Sequence, residues 1–131
     1  DLSFPLVEKV IALLEHLNID SKQIVISSFY HLYLDQVQHR HPGIEVNALI
    51  GGGLPGRNNW GSYNYQVYNA NQEYIDHEQV TRAKERGCTV NLYTVNDPEM
   101  MQTYIDWGVS SLITDYPHKL KKILDKLQPS Y

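Results

Sequence analysis

Three stretches of this chain set chemically capable residue types close together. His39-Arg40-His41 offers two imidazoles and a guanidinium, the groups of a metal or phosphate site. The triplet falls at the end of a short amphipathic segment, where cations complement a helix dipole. Neighbours on a helix point in different directions and chelate poorly, so the triplet reads as a helix terminus. Gly51-Gly52-Gly53-Leu54-Pro55-Gly56 matches G-x-G-x-x-G, and Glu73 lies near the offset of a ribose-binding acid. That pattern needs a helix to open at the glycines, so that its amides meet a pyrophosphate. Pro55, Asn58, Asn59 and Gly61 oppose a helix, and the stretch reads as a flexible loop instead of a dinucleotide site. The third stretch is Cys88, directly after Gly87 at a predicted strand entrance. It reads as a small buried residue. A single cysteine permits no internal disulfide, which fits a reducing compartment and does not exclude an exported protein.

Isolated candidates add little. Asp76, Asp97 and Asp115 each fit the cap of a helix. His16, His31, His77 and His118 are scattered over predicted helices with no zinc spacing.

The elements that must position these residues alternate regularly. Leu6, Val10, Leu13, Leu14 and Leu17 predict a helix with one apolar stripe, opened by Ser3 and Pro5 and ending near Asn18 and Asp20. Residues 23–27 hold Ile24-Val25-Ile26, a strand buried on both faces. A helix over residues 30–39 follows, with Tyr30, Leu34 and Val37 on one face and Pro42-Gly43 as its stop. Residues 44–50 make the next strand. Residues 51–66 form a long irregular loop, a length that is often functional. Val67-Tyr68 is at most a short extended piece before Asn69-Ala70-Asn71. Asp76 and Gln79 predict a capping box for a helix over residues 77–86, closed by Gly87. Val90-Asn91-Leu92-Tyr93-Thr94-Val95-Asn96 is a buried strand that runs into a helix start, where Asn96 or Asp97 caps and Pro98 and Glu99 fill the first turn. Met101, Tyr104 and Ile105 face inward and Gly108 ends that helix. Residues 110–114 are the last strand, and Pro117 opens a helix with the stripe Leu120, Ile123, Leu124 and Leu127.

The order α-β-α-β-loop-α-β-α-β-α predicts an α/β fold of parallel β/α units in one partial domain over residues 1–131. If the units belong to a (β/α)8 barrel of about 250 residues, these 131 residues supply only about half of it. Asp1 in place of Met predicts a processed, excised or truncated chain. The net charge of −4 argues against a nucleic-acid partner, and no apolar run suggests a membrane span. A parallel barrel keeps its site at the C-terminal strand ends. Ser28, Phe29, Gly51, Asn96 and Asp115 fall there, with Tyr93 and Thr94 just before. Phe29 and Tyr93 are the candidates for an apolar pocket rim, with ordinary core packing as the other reading. An open α/β sheet that binds a small ligand satisfies the same pattern.

Residues 90–96, then Gly108-Val109-Ser110-Ser111-Leu112-Ile113-Thr114-Asp115-Tyr116-Pro117, resemble the C-terminal end of glycerophosphodiester phosphodiesterases. Ile24-Val25-Ile26-Ser27-Ser28-Phe29 is similar to that family's fifth strand, and Asn69-Ala70-Asn71 to its approach to strand seven. The resemblance implies strands five to eight of a TIM barrel, the C-terminal half. It implies a hydrolase of lipid metabolism that cleaves glycerophosphodiesters to an alcohol and glycerol 3-phosphate with a divalent metal, Ca²⁺ or Mg²⁺. The family's His-Arg-Gly, Glu-Asn-Thr and Glu-x-Asp motifs are missing from this sequence. The resemblance therefore assigns no catalytic residue and no metal ligand here, and the chain alone is expected to be inactive. It maps only Phe29 and Tyr93 onto substrate-side positions, with Tyr93 replacing the usual Trp. Expected partners are a small glycerophosphodiester and another half-barrel, or a second copy in a homo-oligomer. The alternative is a non-catalytic half-barrel that serves binding or assembly.

Overall fold

The computed structural model describes residues 5–54 and 64–128. Most of the predicted loop around Pro55 and Trp60 lies outside these residues. The chain divides into two compact units, Asp1–Leu49 and Ile50–Tyr131.

In the first unit, α1 (Pro5–His16) and α2 (His31–Arg40) accompany the parallel strands β1 (Val25–Ser28) and β2 (Glu45–Ile50), the last of which runs across the unit boundary. The register sets Val25 beside Glu45 and Ser28 beside Ala48. Helix α1 is apolar on more than one side, and this misleads a reading by stripe alone. Val7 and Ile11 are its buried residues, whereas Leu6, Leu13 and Leu17 are each 55% exposed. The helix stops at His16, where Asn18 adopts φ +55° and Ile19 N–H returns to the Leu14 carbonyl. Helix α2 buries Leu34 and Val37, as their spacing predicts, but Tyr30 is the residue before the helix and points outward.

The second unit holds β3 (Val67–Asn71), α3 (His77–Glu85), β4 (Thr89–Tyr93), α4 (Pro98–Asp106), β5 (Ser111–Leu112) and α5 (Pro117–Leu127). Strand β4 pairs in parallel with β3 on one side and β5 on the other. Five strands thus stand among the described residues where the sequence predicts four. The additional one is β3, whose asparagines hide a five-residue strand from any test of apolar periodicity. Along β4, Val90 and Leu92 are buried while Thr89, Asn91 and Tyr93 alternate on the other face, the period of two that a strand imposes. The Asp76–Gln79 capping box forms as predicted, with Asp76 accepting from Gln79 N–H at 2.8 Å and Gln79 accepting from Asp76 N–H at 2.9 Å. Gly87 and Gly108, both at φ +77°, end their helices in the left-handed region. Met101 and Tyr104 are buried; α5 buries none of its residues fully, and Leu124 and Leu127 remain exposed. No helix among the described residues is long and apolar enough to cross a membrane.

Candidate functional site

Parallel β/α units gather functional groups where the strands end and the helices begin. In the second unit this edge carries residues 50–54, Asn71, Tyr93, Asn96 and Asp115.

Tyr93 closes β4 and is half buried. Its hydroxyl donates to the Ile50 carbonyl at 2.8 Å. Burial pushes the phenol above its ordinary value, so the group keeps its proton and acts as a donor. One residue on, the Thr94 carbonyl accepts from the Gln72 side-chain amide.

Asn96 does not cap α4; Asp97 does, accepting from Glu99 N–H at 2.9 Å. This leaves the Asn96 amide to join two strand ends. Its Nδ2 donates to Asp115 Oδ2 at 2.8 Å, and its Oδ1 accepts from Asp115 N–H at 3.0 Å and from Thr114 Oγ1 at 3.1 Å. Thr114 Oγ1 accepts in turn from Tyr116 N–H. The exits of β4 and β5 are therefore latched by side chains, with Asp115 as an orienting partner.

Gln79 ties down the glycine stretch. Beyond its cap, its Nε2 donates to the Leu54 carbonyl at 3.2 Å. Gly53 passes so close that a Cβ there would stand 2.5 Å from the Tyr74 carbonyl oxygen. The pattern Gly51 to Gly56 thus continues into no helix over its described part, in line with the loop reading. Below the edge, Asn91 donates to Asn69 across β3 and β4 at 2.9 Å; Asn69 is only 6% exposed.

In the first unit, Phe29 follows the end of β1 and is 57% exposed. His31 opens α2 and shares a 2.9 Å hydrogen bond with the Leu49 carbonyl. His39 and Arg40 occupy the last turn of α2, as predicted, and Arg40 pairs with Glu8 of α1. Cys88 is partly buried; its thiol is pushed up by desolvation, an effect that Arg86 opposes.

Three carboxylates near these strand ends are already engaged by neighbours in the chain. Asp76 and Asp97 accept main-chain N–H groups at helix starts, and Asp115 accepts from Asn96. Among the described residues no group of three or more His, Cys, Asp or Glu side chains could hold a metal.

Sequence reasoning placed Phe29 and Tyr93 at strand ends. It missed the ties to Ile50 and Leu54, because Gln79 already had a local explanation as a cap and a main-chain carbonyl has no sequence signature.

The model of the glycerophosphoryl diester phosphodiesterase family matches residues 3–119. A glycerophosphodiester phosphodiesterase of Bacillus subtilis (strain 168) is 29% identical, in a match that covers 88% of this chain and 44% of the relative. One from Caldanaerobacter subterraneus subsp. tengcongensis is also 29% identical, over 91% of this chain and 49% of its own length. The chain thus spans about half the length of the curated relatives it matches. Among solved structures, a glycerophosphodiester phosphodiesterase from Parabacteroides distasonis superposes with a TM-score of 0.75 at 24% identity, covering 93% of this chain and 51% of that one. A phosphodiesterase from Oleispira antarctica, in complex with the product sn-glycerol-3-phosphate, gives 0.76 at 22% identity, covering 91% and 50%.

Proposed function

We propose a function from one premise: the chain belongs to the glycerophosphoryl diester phosphodiesterase family. Its strands and helices form part of a TIM barrel, the fold of the solved relatives it matches over about half their length. In this reading the chain is the C-terminal half of a barrel that hydrolyses a glycerophosphodiester to an alcohol and glycerol 3-phosphate. Phe29 and Tyr93 line the substrate side of that site. The groups that activate water and protonate the leaving alcohol, and the ligands of a divalent metal, are carried by a complementary half. When bound, that metal supplies charge stabilisation at the phosphate oxygens. This chain's own residues bind and orient the substrate.

The match of the family over residues 3–119 carries the reading. The use of Asp76 and Asp97 as caps and of Asp115 as a latch partner supports the division of labour. The complementary half is another half-barrel or a second copy of the chain. Uncovered apolar groups support such pairing: Val25 on β1, Leu13 on α1, Leu17 just after it, and Leu124 and Leu127 on α5 are exposed. The test is a turnover assay with glycerophosphocholine and Mg²⁺ or Ca²⁺. The purified 131-residue chain is expected to release no glycerol 3-phosphate above background. Metal-dependent turnover by the chain alone would overturn the divided site.

A further inference from the structure

We propose that Tyr93 and Gln79 are positioning residues that hold residues 50–54 as a fixed wall of the substrate site, with the Tyr93 hydroxyl committed to that wall and not to substrate. The proposal rests on the substrate-site reading above and adds how the site is built. The wall is tied at both ends. Tyr93 Oη donates to the Ile50 carbonyl at 2.8 Å, and Gln79 Nε2 donates to the Leu54 carbonyl at 3.2 Å. The Gln79 amide cannot turn over without loss, because its Oε1 also accepts from Asp76 N–H. Leu54 is buried, and Gly53 lies against the Tyr74 carbonyl with no room for a side chain. Between the ties the situation reverses. Gly51 and Gly52 are exposed, with open space where a Cβ would stand. Bare peptide groups on a fixed support allow a polar ligand to approach the main chain closely. A phosphate oxygen needs a donor, and the phenol proton is the one that the Ile50 carbonyl takes. The tyrosine at this position therefore offers substrate its ring face, and its hydroxyl sets the wall.

Nitrogen-15 relaxation of the 131-residue chain, combined with a titration of sn-glycerol 3-phosphate, tests this. The variants are Tyr93→Phe, Gln79→Leu and, as a control on the same helix, Thr81→Val, which loses only the bond from Thr81 Oγ1 to the His77 carbonyl. In the parent chain the order parameters of Gly51 and Gly52 should be near 0.85, falling below about 0.6 in the first two variants and unchanged in the control. Ligand-induced shifts at Gly51 and Gly52 should weaken in affinity by about fivefold in the same two variants, the equivalent of one hydrogen bond. Unchanged order parameters with lost affinity in Tyr93→Phe would place the hydroxyl on the ligand and overturn the proposal. Mobile glycines with undiminished affinity would overturn the positioning role. A parent chain without any ligand shift would sink the substrate-site reading, and the relaxation comparison would still decide whether the wall is tied.

Discussion

Tyr93 brings burial and hydrogen bonding to bear on one proton, and both favour keeping it. Desolvation raises the phenol above its ordinary value of 10.0, and the buried Tyr104 is raised for the same reason. A phenol raised in the folded state holds its proton where the unfolded chain has lost it. The associated stability is fully present below pH 10 and is lost as pH rises through the folded values. Urea unfolding between pH 8 and pH 11 should therefore show stability falling above about pH 10. In the Tyr93→Phe, Tyr104→Phe double variant that part of the slope should disappear; an unaltered slope would assign the alkaline loss elsewhere. Gly53 makes a second residue-level case. Gly53→Ala drives a methyl into the Tyr74 carbonyl, a backbone group that cannot swing aside. Overpacking of this kind should cost about 1–3 kcal/mol. Gly51→Ala, with open space at its Cβ, should be close to neutral in the same thermal melts.

Among the elements, α3 carries more than its own packing. Its capping box fixes the Gln79 side chain, and that side chain reaches Leu54. Asp76→Ala should cost about 1 kcal/mol through the lost cap. It should also disturb the amide resonances of Gly53 and Leu54, which a purely local helix defect would leave in place. Strand β3 shows why one element escaped sequence reading. Tyr68 and Ala70 supply its buried face, while Asn69 and Asn71 occupy the other. Asn69 is buried because Asn91 of the neighbouring strand satisfies it. A polar residue inside a strand becomes acceptable only once its partner is in place, and that partner lies 22 positions along the chain. The helices were more legible, since caps and stop signals act within one turn.

At the scale of the whole chain, the open edges of β1 and β5 are the telling feature. Among the described residues, β1 takes a strand on one side only, and so does β5. Open strand edges beside exposed apolar side chains favour association. Sedimentation equilibrium of the purified chain should show self-association at micromolar concentration, or a mixed complex once a complementary half is added. A strictly monomeric chain that ignores such a half would overturn the pairing and with it the shared site.

The sequence by itself determined the parallel β/α alternation, the helix ends at Asp76, Gly87 and Gly108, and the family resemblance of residues 90–96 and 108–117, and it narrowed the cap of α4 to Asn96 or Asp97. These features are encoded by neighbours in sequence, through backbone geometry, capping and apolar runs. Only the tertiary structure decided that Asn96 latches Asp115 and not a helix, that Val7 and Ile11 are the buried side of α1, and that Tyr93 gives its hydroxyl to Ile50. Each of these depends on which distant group arrives within hydrogen-bond or van der Waals reach. A helix that is apolar on several sides, or an amide able to bond in several directions, leaves that choice to the packing.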